Sequence, residues 1–208
     1  MDTCLERPRR KSCVMVTPPT GLVVPVADTR EYLKAYTEED ALIERLIRRA
    51  TEFCQGWQGR QYLVAQFAER YDCFPAGNGE IELLWSPGYR GANEDTTIAY
   101  TDTNGTIQTL RLSGGDFGYN FESVRPILRP NYGETWPPTL AYPDAVRVSS
   151  WAGVAFASQV GEREKQAIDM LTAHWYRNRE AVLTGTISKE VEFSVANLLG
   201  PKRIPAVA

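Results

Sequence analysis

The sequence predicts an α+β fold: a small helical core of two long antiparallel helices plus short helices, with an antiparallel β region inserted between its halves. Three observations predict it. Apolar residues recur at helical spacing over residues 38–55 and again from 162 to about 183. Between them, over residues 63–151, short alternating runs are separated by Gly, Pro, Asn and Asp, the punctuation of strands and turns. The 13 Pro, 16 Gly, 10 Tyr and 5 Trp agree with many turns and with β structure stiffened by aromatic side chains. The chain divides accordingly into an extended, partly disordered N-terminal segment (1–27), a helical core (28–62 and 152–199), a β-rich insertion (63–151) and a C-terminal tail (200–208).

In chain order, Arg7, Arg9, Arg10 and Lys11 ahead of Val14–Val16 faintly resemble the start of a signal peptide. Pro18, Pro19, Gly21 and Pro25 interrupt any apolar run behind them, so secretion is not expected. Residues 1–14 read as disordered, with Met15 an alternative start. Asp28, with Glu31 three residues on, is a helix cap for a short helix over residues 29–36. Thr37 opens a second cap through Asp40. In the helix that follows, Leu42, Ile43, Leu46, Ile47, Ala50, Phe53, Cys54 and Trp57 form the apolar stripe, and Glu44, Arg45, Arg48, Arg49 and Glu52 the polar face. Gly56 and Gly59 end it.

The β region holds one sharp local signal, residues 97–112, where two Thr/Ile/Tyr/Leu-rich runs flank Asn104-Gly105, a dipeptide suited to a type I′ hairpin turn. Further strands are expected near residues 66–73, 80–85 and 145–151. Ser113-Gly114-Gly115-Asp116 reads as a turn, because neither a helical pattern nor a Lys-Ser/Thr follows it. The last long helix places Ile168, Leu171 and Trp175 on one stripe, to pack on the earlier helix. Ser194 can cap a short turn over 195–199 that Gly200 and Pro201 terminate.

The chemistry is sparse. Four cysteines, Cys4, Cys13, Cys54 and Cys73, show no C-x-x-C spacing, and His174 is the single histidine, so neither a metal nor another cofactor is expected. Cys54 and Cys73 read as buried, reduced thiols. His174 lies in an amphipathic helix, where a packing or hydrogen-bonded role is favoured over a general base. No nucleophile elbow, zincin motif, P-loop or dinucleotide fingerprint is present. Glu38/Glu39 favour a helix N-terminus, and Glu80/Glu82 read as a solvent-facing strand pair. A net charge of −3 disfavours an obligate nucleic-acid binder, and no run approaches the roughly 20 apolar residues that span a bilayer.

Three blocks of sequence are more specific. The first runs from Thr29-Arg30-Glu31-Tyr32-Leu33-Lys34 through Asp40-Ala41-Leu42-Ile43-Glu44-Arg45-Leu46-Ile47-Arg48-Arg49-Ala50 to Gly59-Arg60. The second is Trp136-Pro137, then Ala145-Val146-Arg147-Val148 and Trp151-Ala152-Gly153. The third is Lys165-Gln166-Ala167-Ile168 through Ala173-His174-Trp175-Tyr176-Arg177-Asn178-Arg179-Glu180, closed by Leu198-Leu199-Gly200-Pro201-Lys202-Arg203. In this order the chain resembles the phage head–tail connector (adaptor) family, in the prophage and gene-transfer-particle form with a β insertion.

The resemblance implies a virion neck protein, assembled in the host bacterial cytoplasm and not an enzyme. It would form a ring of about twelve copies under the portal. Its partners would be further copies of itself, the portal protein, and a tail, stopper or tail-terminator protein, with DNA passing non-specifically through the lumen and no membrane involved. A tail-completion or stopper-type virion protein is the alternative, and an unrelated enzyme or ligand-binding module the more distant one. Leu198, Leu199, Pro201, Lys202, Arg203, Ile204 and Pro205 are the expected portal contacts, on a tail that orders by docking. Glu38, Glu39, Arg45, Arg48, Arg49, Glu162, Arg177 and Arg179 are the expected ring contacts.

Overall fold

A computed structural model describes residues 10–91, 95–140, 142–178 and 189–204. The chain separates into a β unit, Met1–Pro19 with Val64–Gly153, and a helical unit, Thr20–Leu63 with Val154–Ala208. The class is α+β, with four α-helices and two antiparallel sheets among the described residues.

The β unit contains β1 (Arg10–Thr17), β2 (Ala65–Tyr71), β3 (Ile81–Glu82), β4 (Thr97–Thr101), β5 (Ile107–Arg111), β6 (Gly118–Asn120), β7 (Ile127–Arg129) and β8 (Val146–Ala152). Five strands form one sheet in the order β1-β2-β8-β4-β5, and three form a second in the order β3-β7-β6. The strands expected near 66–73, 80–85 and 145–151 are β2, β3 and β8. Strand β1 was not expected: a segment that reads as disordered pairs antiparallel with β2, Val14 opposite Ala68. Its register brings Arg10 beside Tyr71, two residues before Cys73. Cys73 is disulfide-bonded and not the reduced thiol the sequence suggests, its partner lying outside the described residues.

One face of the large sheet carries Val146, Val148 and Ser150 of β8 opposite Tyr71, Glu69 and Phe67 of β2. Trp136 closes the core on this side, stacked on Phe74 with ring centroids 4.8 Å apart, its Nε1–H donating to the Gly79 carbonyl at 2.8 Å. Burying each large apolar side chain here contributes about 1.5–3 kcal/mol.

The hairpin of β4 and β5 forms where Asn104-Gly105 indicates, but by a different turn. Gly105 N–H donates to the Asp102 carbonyl at 3.0 Å, and the Asp102 carboxylate accepts from the N–H groups of Asn104 and Thr106, each at 2.9 Å. Only Gly105 adopts a positive φ, +80°. This is a three-residue loop ending in a left-handed residue, because Asp102 supplies the side-chain acceptor that stabilises it. Ser113–Asp116 is a turn as expected, with Ser113 held by the Asp95 carboxylate at 2.7 and 3.0 Å.

The helical unit contains α1 (Val26–Leu33), α2 (Asp40–Gln58), α3 (Glu162–Arg177) and α4 (Lys189–Leu199). Helix α1 starts earlier than the Asp28 cap suggests, since Thr29 N–H bonds the Pro25 carbonyl, and ends on Lys34 at φ 55°. Thr37 opens a 3-10 turn and caps nothing with its side chain. Asp40 is engaged instead by Arg30 Nη1, 2.6 and 2.9 Å from its two oxygens. Helix α2 runs through Gly56 and ends at Gly59, whose φ of +68° suits glycine.

Ile43, Ile47, Ala50 and Cys54 of α2 are fully buried with Ile168 and Leu171 of α3. Burial pushes the Cys54 thiol up to about 12. Tyr176 Oη–H donates to Glu39 at one end of the pair, and Gln58 meets Glu164 at the other, so α2 and α3 run antiparallel as expected. Helix α4 begins before the turn expected at 195–199, placing Ser194 in its interior.

Candidate functional site

The connector resemblance directs attention to two surfaces of the helical unit: the outer sides of α2 and α3, and the closing segment of the chain. The expected ring charges largely spend their bonding within the subunit. Arg48 pairs with Glu44 at 2.8 Å, Arg45 Nε donates to the Ala41 carbonyl at 3.3 Å, and Glu162 pairs with Lys165 at 2.6 Å. Glu39 accepts from Tyr176. Glu38, Arg49 and Arg177 are exposed, and Arg179 lies outside the described residues. Ion pairs this exposed contribute little to stability, and an arginine already paired has less to offer a neighbour.

An apolar surface lies beside them. Arg49, Glu52, Phe53, Gly56, Trp57 and Trp175 line a cleft of about 510 Å³. Phe53 is 37% exposed and meets Trp175 edge-on with ring centroids 6.4 Å apart. A Cβ at Gly56 would meet nothing within 4 Å, which keeps the floor open. Sequence reasoning assigned Phe53, Trp57 and Trp175 to the core stripe. The stripe is wider than the core that covers it, and its aromatic edge emerges at the surface. A helix wheel carrying apolar residues over more than about 100° signals this.

Residues 199–204 are folded onto the subunit, where an extended tail was expected to begin at 200; residues 205–208 lie outside the described residues. Gly200–Lys202 is a 3-10 turn, Leu199 is fully buried and Ile204 is 5% exposed. Ile204 N–H donates to the Gln58 carbonyl at 2.8 Å, and Gln58 Nε2 donates to the Leu199 carbonyl at 2.8 Å. Lys202 Nζ lies 3.0 Å from Glu164, a carboxylate almost wholly buried. Burial pushes the Glu164 carboxyl up, but Lys202 and the hydrogen bonds around it outweigh burial, and its pKa lies below the ordinary glutamate value. A Cβ at Gly161 would meet the Glu164 carboxylate and Lys202 Nζ, so both side-chain ends would have to shift to admit one. The Arg203 guanidinium sits 4.6 Å from the Trp57 ring centroid, on the rim of the aromatic cleft.

Of the expected portal contacts, then, Leu199 and Ile204 belong to the core of their own subunit, and Leu198 is half-buried. Pro201, Lys202 and Arg203 are exposed, and Pro205 lies outside the described residues. Ile204 was misread because Lys202 and Arg203 beside it look like a solvated end. His174 sits in the last turn of α3, its carbonyl accepting from Asn178 Nδ2 at 2.9 Å. Glu80 faces solvent as expected and pairs there with Arg129 at 2.5 Å, while Glu82 is half-buried and pairs with Arg125 at 3.1 Å. No described helix is long and apolar enough to cross a membrane.

No family model matches the chain, and no curated protein matches it in sequence. Solved structures match it in fold. A chain from the neck of an empty gene transfer agent particle, computed with C6 symmetry, is 19% identical, with a TM-score of 0.71, over 95% of this chain and 97% of that one. One from the neck of the native particle, computed with C12 symmetry, is 20% identical with a TM-score of 0.72 over the same shares. A chain of the native gene transfer agent virion is 20% identical, with a TM-score of 0.70 over 94% and 97%. The likeness establishes a shared fold over nearly the whole of both chains.

Proposed function

We propose that the protein is a structural subunit of a particle neck, a head-to-tail connector that forms a ring under the portal and presents the surface on which a tail or stopper docks while DNA passes through. The observation that carries this reading is the fold shared end to end with neck chains of a gene transfer agent particle. The connector-like sequence blocks support it independently, because they follow the family's order from Thr29 to Arg203.

In this reading the outer side of α2, with Arg45, Arg48 and Arg49 around Phe53 and Trp57, contributes to ring contacts alongside Glu38, Glu39, Glu162, Arg177 and Arg179. The exposed Pro201, Lys202 and Arg203, followed by Pro205, offer the portal contact, while Leu198, Leu199 and Ile204 hold that segment in place. Buried anchors with an exposed polar rim suit a surface whose work is binding and not bond-making.

Deleting the gene in a particle-producing strain is expected to leave packaged heads and free tails accumulating apart, with few or no infectious or transducing particles. Normal numbers of joined particles, counted by electron microscopy, would remove the connector role.

A further inference from the structure

We propose that successive copies in the ring join edge to edge through their five-stranded sheets, the outer edge of β5 in one copy pairing in parallel with the outer edge of β1 in the next. This inference rests on the ring reading above and names the surfaces that would close it.

The sheet ends in β1 on one side and β5 on the other, and neither has an outer strand partner among the described residues. Backbone groups of β5 can be assigned a direction. Asp102 N–H bonds the Thr106 carbonyl at 2.9 Å, so Thr106, Gln108 and Leu110 face β4, while Ile107, Thr109 and Arg111 face outward. Arg111 is already occupied: its N–H donates to Asp116 Oδ2 at 2.7 Å, and its carbonyl accepts from Asp116 N–H at 3.2 Å. The open edge is Ile107–Thr109, and Ile107 is 73% exposed.

Backbone directions in β1 follow from its neighbours β2 and β8. The Ala145 and Trp151 carbonyls accept from Thr101 and Tyr89, so the odd-numbered residues of β8 face away from β2. Even-numbered β8 residues therefore bond Tyr71, Glu69 and Phe67, leaving Gln66, Ala68 and Arg70 to bond β1 at Thr17, Val14 and Ser12. Cys13 and Met15 face outward. Irregularities between Arg10 and Ser12 and between Met15 and Thr17 bracket this stretch. Val14, Met15 and Val16 are 58%, 41% and 48% exposed, a run of three apolar side chains at a sheet edge.

Direction decides how the edges can meet. Every neighbouring pair in the sheet is antiparallel, so the first and fifth strands point the same way. The small rotation that relates neighbours in a ring preserves strand direction, and a β5-to-β1 junction made by it is parallel. Pairing like edges about a two-fold axis would instead close a dimer. Each open edge offers the N–H and C=O groups of two residues. The bulges beside β1 and the Asp116 turn beside β5 keep both stretches short, which limits indiscriminate edge pairing.

The test uses necks assembled from the full chain. In a Cys13→Ser background, the double variant Met15→Cys with Ile107→Cys is expected to give on oxidation a ladder of disulfide-linked oligomers at least about tenfold above either single variant, because paired strands bring Cα atoms within disulfide reach. Ile107→Pro, which removes no bond to β4, is expected to abolish ring assembly. Where its melting temperature falls, Ile107→Lys carries the test. A wild-type ring with no cross-linked ladder, together with unimpaired assembly of both Ile107 variants, overturns edge pairing and leaves the ring reading intact. Wild-type necks with no ring of this chain overturn the ring reading itself.

Discussion

Replacing Glu69 with Ala is expected to lower the stability of the β unit by about 3–5 kcal/mol, read from the midpoint of urea denaturation. Glu69 is 1% exposed and sits in the middle of β2. Its carboxylate receives Arg10 Nε, the Tyr71 hydroxyl at 2.8 Å and the Leu84 N–H at 2.9 Å. Arg10 also donates to the Glu82 carbonyl at 2.6 Å, tying β1 to β3. Truncation leaves three donors without their acceptor, one of them a guanidinium only 25% exposed. Glu69→Gln retains the shape and one acceptor and is expected to cost less. Arg10→Ala, which strands the carboxylate without deleting β1, should destabilise about as strongly as Glu69→Ala. A loss below about 1 kcal/mol for Glu69→Ala would mean that the carboxylate does not hold the strands.

Removing residues 200–208 is expected to destabilise the helical unit by about 3–4 kcal/mol, read from its melting temperature. The deletion uncovers the pocket of Ile204, frees the Gln58 carbonyl and strands Glu164 without Lys202. A portal-binding defect in that deletion would therefore report unfolding as well as lost contact. The full chain and the deletion should also differ with pH. Because the folded-state pKa of Glu164 is lowered, its contribution is present above about 4.5 and is lost as pH falls through the lowered value. The stability difference between the two chains, followed by thermal melts, should narrow below pH ~4. A constant difference down to pH ~3 would assign the effect to Ile204 burial and the Gln58 hydrogen bonds, without Glu164.

Local signals explain what was legible in the sequence. Leu42 to Trp57 repeat every three to four residues, and α2 follows from that pattern with its end at Gly59. Asn104-Gly105 marks a hairpin because one residue there must tolerate a positive φ. The turn type escaped because it depends on the Asp102 side chain. Strand β1 was hidden because its partner lies some fifty residues downstream and its own sequence is short, basic and followed by prolines. Nothing local in Ala-Glu-Arg-Tyr marks Glu69 as buried, because its partner Arg10 comes from that distant strand.

The contact surfaces divide the same way. The arginines of α2 were visible as a polar face, but Glu44 and the Ala41 carbonyl, one helical turn away, absorb Arg48 and Arg45. Phe53 and Trp175 read as core because apolar identity does not reveal which edge of a stripe remains uncovered. The closing segment reads as a tail from its composition. What seats it is the αL cap at Gly59, which leaves room for the Ile204 backbone that only the tertiary structure brings near.

Cryo-electron microscopy of the particle neck, with this chain located in the map, tests the central claim most directly. The account predicts a closed cyclic ring of copies between portal and tail, each fitting the β unit and the helical unit described above. A neck of full composition in which the chain is missing, or occurs as a single copy off the axis, would contradict it.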